Sequence, residues 1–157
     1  MTIAEYRQIK PRLTKKDKEK IRRDITDGLR ESAKENLNKY HPPLSLMESR
    51  AYRKILIRIK ENKAIAEDEL FWEQFIHEIS LLYPSFIDTI LILSDDNISI
   101  KELKLLMLIK CGVTPAQTCI LLSREKGTVS YHRKKLRDTL FGNGVSVSEI
   151  DKLIHCI

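Results

Sequence analysis

Residues 99–141 contain two helix-start patterns in close succession, and this spacing constrains the fold more than any other feature of the chain. Ser99 with Glu102 forms a capping box, in which each side chain accepts a hydrogen bond from a backbone N–H of the other residue. Thr114 with Gln117 repeats the pattern, and proline occupies the first helical position between them. Two helices must therefore begin close together, with a turn between them.

The residues after each cap predict three helices joined by short turns. Glycine accepts the positive φ of a helix end, so the first helix should end at Cys111-Gly112. The second is short and ends near Leu122, and a turn through Ser123 leads to a third helix at 125–140. Apolar residues should bury most of the first helix, namely Ile100, Leu103, Leu106, Met107 and Ile109.

The third helix combines one apolar stripe with a basic outer surface. Val129, Leu136 and Leu140 recur at spacings of seven and four, which places them on one face of an α-helix. The segment 124–137 holds one acid and six cations, which are Arg124, Lys126, Arg133, Lys134, Lys135 and Arg137. Such a helix fits the major groove of DNA and neutralises phosphates on both sides of it. The charge alone would also suit a solvated surface helix.

The same residues resemble a known family. The stretch 127–133, Gly-Thr-Val-Ser-Tyr-His-Arg, followed by Leu136 and Leu140, is similar to the recognition helix of LuxR/GerE-type regulators. That family's pattern is Thr-Val-x-x-His followed by an aliphatic residue one turn later. The short helix 114–122 is similar to the family's scaffold helix in length and in its Leu-Leu ending.

The resemblance extends upstream and covers about residues 70–142. The segments 71–75 and 82–86 resemble the region that precedes this domain in large bacterial regulators with tetratricopeptide sensor regions. The resemblance implies an all-α helical bundle with a C-terminal tetrahelical helix-turn-helix, and a function in transcription regulation. We expect an N-terminal helical extension at 1–66 and the DNA-binding domain at 67–157.

Several residues depart from the family pattern. Thr118 and Cys119 stand where the family has a branched aliphatic residue and an alanine, and both are small enough to keep the helices close. Ser130 stands where many members have a cation that reads a base, so no sequence preference is carried over. Gly127 costs about 1 kcal/mol against alanine inside a helix; alternatively, it permits close approach to a sugar-phosphate backbone.

Position on the third helix suggests a role for each candidate contact residue. Ser130, Tyr131 and Lys134 project from its early and middle outer face, where base edges are reached. His132 borders the apolar stripe and would either bind a phosphate or pack on the short helix. Free N–H groups at a helix N-terminus also favour anions. The full set of candidate phosphate contacts is Thr114, Gln117, Lys126, Thr128, His132, Arg133, Lys135 and Arg137.

The remainder of the chain is predicted to be helical, since it has five glycines and no long polar-apolar alternation. We predict helices at 14–40, 45–61, 68–83, 84–93 and 148–156. The first helix either lies along the protein or pairs with a second copy. It has a narrow apolar stripe, which consists of Ile21, Ile25, Leu29, Ala33 and Leu37. The second should face inward with Met47, Ala51, Ile55 and Ile59, with Tyr52 and Leu56 beside them.

The net charge of +6 is concentrated in two blocks. Residues 10–23 hold eight cations and two acids, and the third helix contributes the second block. Charge arranged in blocks suits a polyanionic partner better than a uniformly basic surface does. Double-stranded DNA is therefore the expected partner.

The sequence argues against several other classes of function. It has no phosphate-binding glycine loop and no zinc-type Cys/His spacing, so we expect no enzymatic activity, metal, cofactor or small-molecule substrate. The odd set of three cysteines predicts reduced, buried thiols. No apolar run is long enough to span a membrane, and the N-terminus lacks a signal-peptide core. We therefore expect no membrane association and a cytoplasmic location.

Two alternative functions and one question of assembly stay open. An all-helical protein-interaction module would use the apolar faces of 14–40 and 148–157, and the basic ending of the third helix also resembles region 4 of sigma factors. One recognition helix covers few base pairs, so pairing as a homodimer would double the DNA site. The same two apolar faces are the candidate dimer surfaces, although the C-terminal one could instead pack on its own domain.

Overall fold

A computed structural model describes residues 1–36 and 40–157, and the regular secondary structure in that part of the chain is helical. The all-α prediction is therefore confirmed, and no strand occurs among the described residues. Short 3-10 helices cover Lys10–Arg12 and Val147–Glu149. The α-helices are α1 (Ile3–Ile9), α2 (Lys15–Glu35), α3 (Leu44–Met47), α4 (Arg50–Lys60), α5 (Glu69–Leu82), α6 (Phe86–Leu93), α7 (Ile100–Lys110), α8 (Pro115–Leu122), α9 (Lys126–Leu140) and α10 (Ile150–Cys156).

Helix α7 lies at the centre of the fold. It packs against α5, α9 and α10, and residues 105–110 are all buried. The prediction of a helix buried over most of its surface is therefore confirmed. It is wrong for Ile100, which begins the helix and is 73% exposed. Residues from both 1–66 and 67–157 contribute to one buried core, and the division between those ranges stays a prediction.

The predicted helix caps are present. The Ser99 and Thr114 side chains each accept a backbone N–H bond three residues on, and Glu102 and Gln117 complete the boxes. Gly112 ends α7 with a φ of +80°, a conformation that glycine adopts without steric cost. These local interactions fix where α7 and α8 begin and where α7 ends.

The long N-terminal helix α2 lies along the protein. Its bounds are Lys15–Glu35, shorter than the predicted 14–40; Tyr40 lies outside the helix, and Leu37 lies outside the described residues. The helix packs against α6 and α10, and its stripe is partly buried there through Ile25, Leu29 and Ala33. The stripe therefore packs within the chain.

The predicted helix at 45–61 is wrong in its start and in its inward face. The structure has two helices, α3 and α4, and Ser49 caps the second by accepting the Tyr52 N–H at 3.2 Å. Because α3 turns before α4, Leu46 is fully buried and Met47 is 45% exposed. Ala51 and Ile55 are buried as predicted.

Helix α1 was not predicted, although Thr2 and Glu5 form a capping box at its start. The contact that anchors it to the rest of the protein is distant in sequence. Buried Tyr6 donates its hydroxyl hydrogen to Asp95 Oδ1 at 2.8 Å, in the turn after α6. Asp95 and Asp96 have φ values of +54° and +61°, a region that aspartate adopts more readily than most residues. Their carboxylates also form ion pairs with three cations, which are Arg7, Lys10 and Lys18.

The C-terminal helix α10 packs on α2 and α7, so its apolar face is occupied by its own chain. Ile150, Leu153 and Ile154 are at most 1% exposed. Among the cysteines, Cys111 is buried as predicted, whereas Cys119 and Cys156 are half-buried, and all three are free thiols. No single described helix is long and apolar enough to cross a membrane; α5 and α6 reach that length only as a pair bent by 101°.

Lys110 is buried where α7 meets α10. Its ammonium donates to the His155 carbonyl oxygen at 3.1 Å and lies 4.5 Å from the centre of the Tyr83 ring. Among the described residues no carboxylate forms an ion pair with it. Burial therefore lowers the pKa of Lys110.

We predict that Lys110 makes folding stability rise with pH in alkaline solution. Its folded-state pKa lies below the ordinary value of about 10.4, so between the two values the unfolded chain binds more protons. The unfolding free energy of the native chain minus that of Lys110→Met should therefore increase from about pH 7 to pH 10 in urea titrations.

The comparison with Lys110→Met separates its effect from those of other groups that titrate in alkaline solution. Burial raises the pKa of the Cys111 thiol and of Tyr6, Tyr40, Tyr52 and Tyr83, so these groups lower stability as the pH rises past their ordinary values. A difference that stays constant with pH would show that Lys110 keeps its ordinary pKa in the folded protein.

Candidate nucleic-acid interface

The site is built on α8, α9 and the tight turn between them. Ser123 adopts a left-handed conformation with φ +51°, and its N–H and that of Arg124 close the turn onto carbonyls of α8. Thr118 is 1% exposed, and its hydroxyl donates to the Thr114 carbonyl oxygen at 2.9 Å. A threonine therefore fits this buried position because its polar atom is satisfied inside α8.

The apolar stripe of α9 anchors the helix on the body of the protein. Val129 is 3% exposed, and Leu136 and Leu140 are fully buried, as predicted. The helix packs against α6, α7 and α8. Because one face is fixed in this way, the residues of the opposite face point away from the core.

The three candidate base-reading residues lie on that outward surface. Ser130 and Lys134 are exposed, and Tyr131 is 63% exposed. The Tyr131 ring makes an edge contact with His132 at a centroid distance of 5.5 Å. Lys126 and Lys134 form no ion pair within the described part of the chain, so both charges are available to an anionic partner.

Three other cations of α9 already have acidic partners. Arg133 donates to Asp151 of α10 and its side chain is only 11% exposed. Arg137 binds the neighbouring Asp138 at 2.7 Å. Lys135 lies 3.8 Å from Glu102 of α7. The basic helix thus divides into cations paired with side chains of the protein and cations exposed to solvent.

The N-terminus of α8 offers fewer free donors than the sequence suggests. The Thr114 N–H donates to Gln117 Oε1 at 3.0 Å, and the Gln117 N–H donates to Thr114 Oγ1 at 3.2 Å. Pro115 has no N–H. The capping box therefore uses two of the three first-turn donors, and Ala116 N–H is the one that no described residue accepts.

Thr128 and His132 are half-buried at the edges of α9. His132 borders the apolar stripe as predicted, and it lines a cavity together with Val129 and Leu105. Arg124 was not predicted as a contact residue. It is exposed at the turn before α9 and forms no ion pair in the described residues. Its position between α8 and α9 was the sequence signal that could have identified it as a contact residue.

The second basic block, residues 10–23, is likewise partly neutralised. Lys10 and Lys18 form ion pairs with Asp95, each at 3.2 Å. Lys15, Lys16 and Lys20 are exposed on α2. The block therefore presents fewer uncompensated charges than its sequence suggests.

Comparisons with protein-family models, with curated proteins and with solved structures found no significant match to this chain.

We predict that Arg133 stabilises the fold more than its neighbour Lys134 does. Arg133→Met removes a nearly buried charge-assisted bond to Asp151 and should lower the unfolding free energy by about 1–3 kcal/mol. Lys134→Met, the same kind of change at an exposed position, should alter it by less than about 0.5 kcal/mol. Urea denaturation measures both, and equal effects would contradict a structural role for Arg133.

Proposed function

We propose that this chain is a DNA-binding transcription regulator that inserts α9 into the major groove. The observation that carries the proposal is the arrangement of α8, a single left-handed turn residue and α9. It leaves Ser130, Tyr131 and Lys134 outward on a helix whose opposite face is anchored. An exposed basic helix held on one side is the geometry that major-groove recognition requires.

The proposed fold of this region is a LuxR/GerE-like tetrahelical helix-turn-helix made of α7, α8, α9 and α10. In that arrangement α8 is the scaffold helix and α9 is the recognition helix. Packing of α10 on α7 supports the proposal, since it adds the fourth helix to the same core.

The ion pairs refine the proposed roles of the cations. Lys126 and Arg124, which are exposed and unpaired among the described residues, are the foremost proposed phosphate contacts. Arg133, Lys135 and Arg137 would have to leave acidic partners before binding a phosphate. Ser130, Tyr131 and Lys134 are the proposed base-reading set.

A protein-interaction module would need the apolar faces of α2 and α10 to be free, and they are not. Helices α2 and α10 pack against each other, and their apolar residues are part of the core or packed against it. The same packing means that a homodimer would have to form through another surface. DNA binding needs neither face, which supports it over an interaction module of that kind.

We predict steeply salt-dependent binding to duplex DNA. Neutralising phosphates makes log affinity fall linearly with log salt, whereas an apolar protein interface responds weakly. Removing one phosphate contact, by Lys126→Ala or Arg124→Ala, should reduce the slope by about 1. Lys34→Ala on α2, where the lysine is already paired with Glu31, is the matched control and should leave the slope unchanged.

We further predict that Lys134 contributes to sequence reading. Selection of bound fragments from a random DNA pool should enrich a motif, and an inverted repeat in it would show binding as a dimer. Lys134→Ala should then weaken binding to that motif by about 1–3 kcal/mol and binding to random DNA by less. Equal losses would make Lys134 a phosphate contact. No loss on either DNA would contradict insertion of α9 into the groove.

A further inference from the structure

A cavity of about 220 Å³ opens beside α9, on the side that faces α7. Its walls come from α7, from α9, from the turn after α8 and from the loop that precedes α5. Drug-sized ligands occupy pockets of about 300–1,000 Å³. This cavity is therefore suited to a smaller molecule.

The floor of the cavity is apolar. Leu105 and Val129 line its base and are each 3% exposed, so they close the cavity but add little accessible surface. Leu122 and Ala66 complete the apolar part and are half-buried. A hydrocarbon group placed here would cover surface that is otherwise in contact with water, which favours its binding.

The rim of the cavity carries cations without acidic partners in the described part of the chain. Lys101, Lys104 and Arg124 all line it, and none of them forms an ion pair in the described part of the chain. Glu67 and Glu69 also line it and are exposed, but neither approaches a cation within ion-pair distance there. Positive charges therefore outnumber negative ones around an apolar floor.

Lys104 connects the cavity to a natural reporter. Its ammonium lies 5.0 Å from the centre of the Trp72 ring, and Trp72 is the only tryptophan of the chain. The indole is 6% exposed, and its N–H donates to the Ile65 carbonyl oxygen at 3.1 Å, which holds the ring in place. An anion that pairs with Lys104 changes the electric field at this ring and so shifts its fluorescence.

We propose that this cavity binds a small amphipathic anion, with a short hydrocarbon body on the Leu105 and Val129 floor and a carboxylate among Lys101, Lys104 and Arg124. The size of the cavity sets the length of the body, and the cationic rim selects the sign of the head group. The site does not depend on the proposed DNA contact, so either proposal can fail while the other stands.

The test uses hexanoate as the probe, titrated into the 157-residue chain at constant ionic strength. Trp72 emission should change saturably, with a dissociation constant on the order of millimolar or tighter. The neutral and cationic analogues 1-hexanol and hexylamine should bind at least about tenfold more weakly, because a charge-assisted hydrogen bond to the head group is missing. An analogue that binds as tightly as hexanoate overturns the proposal.

Variants locate the binding site by isothermal titration calorimetry, a readout that does not rely on Trp72. Ala66→Leu fills the cavity and should abolish hexanoate binding, whereas Ala64→Leu at a nearby exposed position should leave it unchanged. Lys104→Gln keeps the shape and should weaken binding about tenfold. Unchanged binding in both Ala66→Leu and Lys104→Gln would overturn the site, with the fold of each variant checked by circular dichroism.

Discussion

The complete burial of the second half of α7 is the constraint on which the rest of the structure depends. A helix that is apolar on all sides must be covered on all sides, and α5, α9 and α10 cover it. At its end, the Lys110 ammonium binds the His155 carbonyl of α10, and Tyr40 donates to the Lys110 carbonyl at 2.6 Å while stacking on the His155 ring. These contacts fix α10 against α7.

Helix α9 is linked to α10 by one ion pair, in addition to its packing on α6, α7 and α8. Asp151 of α10 accepts a hydrogen bond from Arg133, and Glu102, at the opposite end of α7, lies beside Lys135. Helix α9, the proposed recognition helix, is thus attached through Arg133 as well as through its apolar stripe. Arg133, which resembles a DNA contact in the sequence, therefore helps to hold α9 in place, and the neighbouring Lys134 stays exposed on the outward face.

Several local features of this fold could be predicted from the sequence, whereas contacts between distant residues could not. The caps at Ser99 and Thr114 and the stripe of α9 depend on residues three to seven positions apart, so their spacing was sufficient. The Arg133–Asp151 pair and the Tyr6–Asp95 bond join segments that are distant in sequence, and no spacing rule reveals them. In the case of 45–61, Ser45 and Glu48 imitate a capping box, while the actual cap lies at Ser49.

Arg124 belongs to both the proposed DNA-binding surface and the proposed anion-binding cavity. It lines the cavity beside α9 and also lies exposed at the turn that leads into that helix. A single guanidinium cannot fully neutralise a carboxylate in the cavity and a phosphate outside it at once. If both ligands bind, each must therefore weaken the other by the same factor, because coupling between two binding equilibria is reciprocal. Competition of this kind needs no change of fold, only one cation shared between two anions.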